Sequence, residues 1–132
     1  MAKPRLAVVG TGQFGKNHCR VIHESEGAEL VAVVDTDATR AAEVASLYGG
    51  LPLTDYRELG GRVDAAVVAA PTSAHEQIGC FLVDAGIDVL VEKPLTPDVE
   101  SADRLVRTAE KSGRVLQVGH LERFNPAVSE LE

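Results

Sequence analysis

The chain has 132 residues, 45% hydrophobic and 25% charged, enough for one folded domain with its own core and unlike a disordered segment. Thirteen basic against twenty acidic residues leave a net charge of −7, which argues against nucleic acid or an anionic membrane surface as the partner. Three Phe, two Tyr and no Trp leave little to stack bases on.

Residues 6–9 are a short apolar run ended by Gly10, far short of a membrane span and too short for a signal-peptide core. Residues 13–25 follow as a helical segment. The same alternation then repeats along the chain. Apolar runs at 30–34, 65–70, 87–91 and 115–118 are nearly continuous in Val, Ala, Leu and Ile, as strands buried on both faces should be. Helical segments lie between them at 38–48, 74–85 and 97–112. A shorter turn or helix is expected near Asp55, Tyr56, Arg57 and Glu58.

The start and stop signals agree with this reading. Ser73 and Glu76 have the spacing of a capping box, and Gly86 follows that segment. Thr96 precedes Pro97 as an N-cap precedes a first-position proline, and Gly113 closes the helix. Within it Val99, Ala102, Leu105, Val106 and Ala109 are expected on one apolar face. Strands alternating with helices predict a doubly wound α/β fold with a parallel sheet.

Cys19 and Cys80 form no CxxC and read as two buried reduced thiols of a cytoplasmic protein, a disulfide being the alternative. His18, His23, His75 and His120 are scattered, without the paired spacing of a metal site. Asn125-Pro126 signals a further helix, yet only residues 127–132 follow it, which reads as a truncated chain. The terminal Leu131-Glu132 is native or a cloning remnant. No linker divides the chain, so residues 1–132 are expected to form a single dinucleotide-binding domain.

Directly after the first strand stands Gly10-Thr11-Gly12-Gln13-Phe14-Gly15, a full G-x-G-x-x-G. Gly10 suits the tight turn, Gly12 lets a pyrophosphate approach the backbone, and Gly15 lets helix and strand pack closely. With Gln13 and Phe14, the helix N-terminus offers free N–H groups to the phosphates. Any strand–helix turn can carry such glycines, so context decides. The second strand ends at Asp35, twenty residues after Gly15, where a carboxylate would accept hydrogen bonds from an adenosine ribose. A plain helix cap is the alternative for Asp35, a role Asp37 fills equally well. The carboxylate favours NAD over NADP, while Arg40 would suit a 2′-phosphate.

Three further segments follow predicted strands and so gather at the carboxyl edge of the sheet. They are Pro71-Thr72-Ser73-Ala74-His75, Glu92-Lys93-Pro94 and Gly119-His120-Leu121-Glu122-Arg123-Phe124-Asn125-Pro126. With the glycine loop, in this order, they resemble the N-terminal domain of the Gfo/Idh/MocA oxidoreductases over residues 6–126. The resemblance implies that Pro71, Thr72 and His75 line the dinucleotide and that Glu92 contacts the cofactor or orients its neighbour. It implies that Lys93 reaches the reacting carbon of the substrate, before a frequently cis Lys93–Pro94 bond, and that Arg123 lies near the nicotinamide. The last segment resembles a branch acting on nucleotide sugars, among them UDP-N-acetylglucosamine 3-dehydrogenases.

The implied activity is hydride transfer between a nicotinamide and a sugar or nucleotide-sugar carbon. The general base and substrate pocket are expected on a C-terminal domain outside this chain, and the full protein is expected to be a homo-oligomer. Other readings of the same residues remain. Lys93 is a solvated surface lysine, His75 an exposed or core-packed residue, His18 a structural one. His120 and Arg123 would tie the last strand to a following domain. At the level of the whole chain, the rivals are a stand-alone dinucleotide sensor and a reductase of another Rossmann family.

Overall fold

The structure is a computed structural model that describes residues 3–119. Six strands, β1 (Arg5–Val9), β2 (Glu29–Val34), β3 (Leu51–Leu53), β4 (Ala65–Val68), β5 (Asp88–Glu92) and β6 (Leu116–Gly119), form one sheet. Their order is β3-β2-β1-β4-β5-β6 with every pair parallel, the arrangement of a doubly wound dinucleotide fold. The connections are α1 (Gln13–Glu24), α2 (Ala38–Tyr48), α3 (His75–Asp84) and α4 (Val99–Ser112), with 3-10 turns at Tyr56–Leu59 and Thr72–Ala74.

Each central strand feeds two cores, because successive side chains point to opposite faces. Leu6, Val8, Val33 and Val67 pack with Cys19 and Ile22 of α1 and Val44 of α2. Ala7, Val9, Ala32, Val34, Ala66 and Val68 pack with Ile78, Leu82 and Val83 of α3 and Ala109 of α4. Near-continuous apolar runs are the sequence counterpart of this two-sided burial. Cys19 lies in the first core, where burial pushes its thiol up to about 12, whereas Cys80, expected buried, is only half-buried on α3, its thiol donating to Thr108 Oγ1 of α4. Among the described residues no helix is long and apolar enough to cross a membrane.

Three details depart from the sequence expectations. Leu51–Leu53 is an edge strand that no alternation signals, since it has three residues and Pro52 cannot donate to a ladder. The Ser73–Glu76 capping box does not form. The chain makes a 3-10 turn over Ser73, α3 starts at His75, and the Glu76 carboxylate instead takes the Arg104 guanidinium of α4 at 2.5 and 3.0 Å.

The third departure concerns α4. Asp98, not Thr96, caps it, accepting from the Ser101 N–H at 2.8 Å, so Pro97 lies outside the helix. The buried line then runs through Ser101, Leu105 and Ala109, four residues apart, while Val99 is 84% exposed and Val106 stays at the surface. Leu105, fully buried, contributes roughly 2 kcal/mol of apolar burial. Gly79 makes room for it on α3: a Cβ there would meet Leu105 Cδ1 at 2.8 Å.

Candidate functional site

All six strands point their carboxyl ends to one edge, and the reversal of strand order between β1 and β4 opens a crevice there. A cleft of about 660 Å³ occupies it, lined among others by Gly10, Thr11, Gly12, Asp35, Arg40, Tyr56, Ala70 and Pro71. That volume falls within the range of small-molecule sites.

The glycine loop forms the floor. Gly10 holds φ +97°, and a Cβ there would lie 2.7 Å from the Ala70 nitrogen. Gly15 allows still closer packing, since its Cβ would sit 1.7 Å from the Gly10 carbonyl oxygen. Gly12 differs from both, for a Cβ there would meet no protein atom within 4 Å. It is the N-cap of α1, with no side chain capping the helix and no acid in the first turn. The first N–H groups of α1 are thus open to an anion, and the helix dipole favours negative charge there. Gln13 and Phe14 stand exposed on that first turn, Phe14 at 61%.

Asp35 closes the cleft at the end of β2. Its Oδ2 accepts from Thr11 N–H at 2.9 Å and Thr11 Oγ1–H at 2.5 Å, and its Oδ1 accepts from Asp37 N–H at 2.8 Å. Arg40 Nη1 lies 3.9 Å away. Burial would raise this carboxyl, yet the Thr11 hydroxyl, the two N–H groups and the Arg40 guanidinium together hold it below the usual carboxylate range. Asp35 therefore meets the cleft as an anion. The alternative cap role falls to Asp37, which accepts from Thr39 and Arg40 N–H groups at the start of α2.

The other half of the edge is organised differently. His75 is buried, with Nε2 2.8 Å from Ala70 O and Nδ1 2.9 Å from Leu95 O and 3.2 Å from Pro94 O. It straps the turn after β4 to the turn after β5, and its ring faces protein on both sides. Glu92, at the end of β5, is bonded to Nε2 of His18, which is fully buried on α1. Burial pushes the His18 imidazole down against the pull of Glu92, so the neutral ring donates Nε2–H to the carboxylate. Lys93 follows on the exposed turn, before the cis Lys93–Pro94 peptide, its N–H donating to Gly119 O at 3.3 Å.

The cleft thus gathers Gly10, Gly12, Asp35 and Pro71 of the expected set. Thr72 begins the adjoining 3-10 turn, whereas His75 and Glu92 face inward as braces. Arg123 and His120 lie outside the described residues. Sequence reasoning missed Thr11, Tyr56, Arg57 and Gln77 on the cleft wall. Tyr56 and Arg57 had one available signal, their place after a third strand that was itself unread. Arg57 is tied to Asp55, the cap of its own turn, at 3.0 Å.

This geometry fits an NAD dinucleotide: open space over Gly12, free helix N–H groups below it and an anionic carboxylate at the end of β2. The model of an oxidoreductase family with an NAD-binding Rossmann fold matches residues 4–120. The chain belongs to the Gfo/Idh/MocA oxidoreductase family. Its fold is the NAD-binding Rossmann domain of that family.

Among curated proteins, an inositol 2-dehydrogenase of Arthrobacter sp. is 42% identical over 126 residues, covering 92% of this chain and 37% of the relative. The UDP-N-acetylglucosamine 3-dehydrogenase of Acidithiobacillus ferrooxidans is 35% identical, and its solved structure superimposes with a TM-score of 0.85 over 99% of this chain and 43% of that one. The WlbA dehydrogenase of Bordetella pertussis, solved with NADH and UDP-GlcNAcA, is 29% identical with a TM-score of 0.84, covering 89% of this chain and 38% of that one. The chain spans less than half the length of these relatives.

Proposed function

We propose that this chain is the cofactor half of a dehydrogenase that moves a hydride between NAD and a carbon of a polyol, sugar or nucleotide sugar. The carrying observation is the cleft at the β1/β4 reversal, where Gly12 leaves space above the bare N-terminus of α1 and Asp35 stands as an anion. Gly10, Gly12, Gln13, Phe14 and Gly15 would hold the pyrophosphate, Asp35 the adenosine ribose, and Pro71 and Thr72 the approach to the nicotinamide. NAD supplies the hydride acceptor.

Lys93 stands on an exposed turn, bounded by Glu92 on one side and the His75-bound carbonyls on the other. Its ammonium would donate a hydrogen bond to the substrate oxygen and stabilise negative charge developing there. Holding that turn from both flanks limits the freedom that costs rate when a catalytic group is misplaced. Relatives named as inositol 2-dehydrogenase and UDP-N-acetylglucosamine 3-dehydrogenase support a polyhydroxylated substrate. In this reading the proton acceptor and substrate pocket lie outside the residues of this chain, which spans less than half the length of its relatives. Arg123 belongs to the same proposal as a group near the nicotinamide, in a cytoplasmic, homo-oligomeric full protein.

The test is a thermal melt with and without NAD, together with reduced-nicotinamide absorbance in the presence of UDP-sugars, inositols and free sugars. At tenfold excess over Kd, RT ln 11 gives about 1.4 kcal/mol of stabilisation. For a domain of this size that is an upward shift of roughly 3–10 °C. Binding without turnover is the expected result. No shift at millimolar NAD removes the reading, and steady turnover by this chain places the base within it.

A further inference from the structure

We propose that Thr11 is the residue that sets the cofactor preference of this site, by fixing the Asp35 carboxylate in the orientation that accepts a ribose diol. This rests on the reading of the cleft as a dinucleotide site and deepens it. Thr11 occupies a variable position of the glycine fingerprint, whose glycines carry the known tasks. Here it is 4% exposed, and both its N–H and its hydroxyl donate to the same oxygen, Asp35 Oδ2, at 2.9 and 2.5 Å. Asp37 N–H takes Oδ1 at 2.8 Å. Three donors from two loops therefore hold the carboxylate against rotation. Charge-assisted bonds of this kind are about twice as strong as neutral ones.

The fixed orientation matters because of Arg40. Its Nη1 lies 3.9 Å from Oδ2, its side chain is 53% exposed, and it lines the same cleft. Without the Thr11 hydroxyl, Oδ2 would be free to close the remaining distance to that guanidinium. It would then present less acceptor to a 2′-hydroxyl and less negative charge to a 2′-phosphate, while Arg40 stayed beside the site. The carboxylate and the arginine favour opposite cofactors, and Thr11 decides which of them meets the ribose. A threonine hydroxyl at this position is thus a specificity group, although it need not touch the ligand itself.

The experiment is titration calorimetry of NAD and NADP against the unaltered chain, Thr11→Val, Thr11→Ser, Asp35→Ala and the Thr11→Val/Asp35→Ala pair. Valine keeps the shape and the backbone donor and removes only the hydroxyl. We expect Thr11→Val to narrow the ratio of the two dissociation constants about fivefold, the size of one ordinary net hydrogen bond. Thr11→Ser should keep the ratio of the unaltered chain, and Thr11→Val should add nothing once Asp35 is alanine. If Thr11→Val does not fold, Thr11→Ala carries the same expectations. An unchanged ratio in the hydroxyl-free variant overturns the proposal, as does an equal change in the Asp35→Ala background. If the unaltered chain binds neither nucleotide, the dinucleotide reading falls and takes this proposal with it. Failure of Thr11 alone looks different, because the unaltered chain then still prefers NAD.

Discussion

The two ends of the ligand edge are built on different principles. At the glycine loop, the groups that would meet a ligand are backbone N–H groups and one carboxylate, and they face open space. At the Lys93 turn the conspicuous polar side chains, His18, His75 and Glu92, face inward and bond to one another or to carbonyls. One end is a cradle, the other a frame around a single exposed lysine. Polar residues of one motif can thus lie in inward hydrogen bonds on both flanks of the residue that stays exposed.

The largest effect should come from the glycine that the cradle packs against. Gly15→Ala would force a Cβ to within 1.7 Å of the Gly10 carbonyl oxygen, so the backbone itself must move. Overpacking of this severity should cost about 3 kcal/mol or more and abolish a cooperative melt near the original temperature. Gly12→Val makes the contrast. Its Cβ would meet no protein atom within 4 Å, so the melt should stay near the original while NAD binding vanishes. A Gly12→Val chain that binds NAD normally would break the cradle account.

For the frame, His75→Ala removes a buried ring that ties two turns together. Stability should fall by roughly 2–4 kcal/mol, through lost packing and carbonyls left without their partner. Adenosine diphosphate should still raise the melting temperature of the variant, because the proposed seat of the adenosine and pyrophosphate groups is at the other end. A variant that keeps its stability but no longer responds to adenosine diphosphate would show that His75 belongs to the cradle. Asp35→Ala is milder: the chain should stay folded, with the preference for NAD over NADP narrowed or reversed in parallel titrations.

Acid should act on the frame first. The His18 imidazole is held below its ordinary value of 6.5, so between that value and its lower folded value the unfolded chain binds more protons. Its contribution is complete above about pH 6.5 and is lost as pH falls below it. The Asp35 carboxyl is held below its ordinary 3.8, so its contribution is lost only in stronger acid. Melting temperatures followed down from pH 7.5 should begin to drop near pH 6.5, and His18→Gln should flatten that first step. A step that survives in His18→Gln belongs to another group.

Much of the cradle was legible because its requirements are local. A strand end, three glycines at fixed spacing and an acid at the end of the next strand are short-range features, and the structure places them together. The frame was not legible in the same way. His18 and Glu92 are 74 positions apart, and no periodicity announces a buried pair at that separation. Thr11 is silent for a related reason, since a threonine in a turn gains its meaning only from a carboxylate 24 residues on. The start of α4 shows local competition instead: Thr96-Pro97 is a sound cap signal, but the Asp98 carboxylate bonds the Ser101 N–H and wins. Leu51–Leu53 escaped because three residues around a proline carry no alternation.

The central claim is that NAD seats over the bare start of α1 and against Asp35. At 14.0 kDa the chain is small enough for residue-resolved nuclear magnetic resonance of its backbone amides during a titration with NAD. The account predicts saturable shifts led by Gly10, Thr11, Gly12, Gln13 and Asp35, with the Cys19–Ile22 part of α1 little affected and none of these shifts in Gly12→Val. Absence of shifts at those amides with saturating NAD, or the same shifts in Gly12→Val, would contradict it.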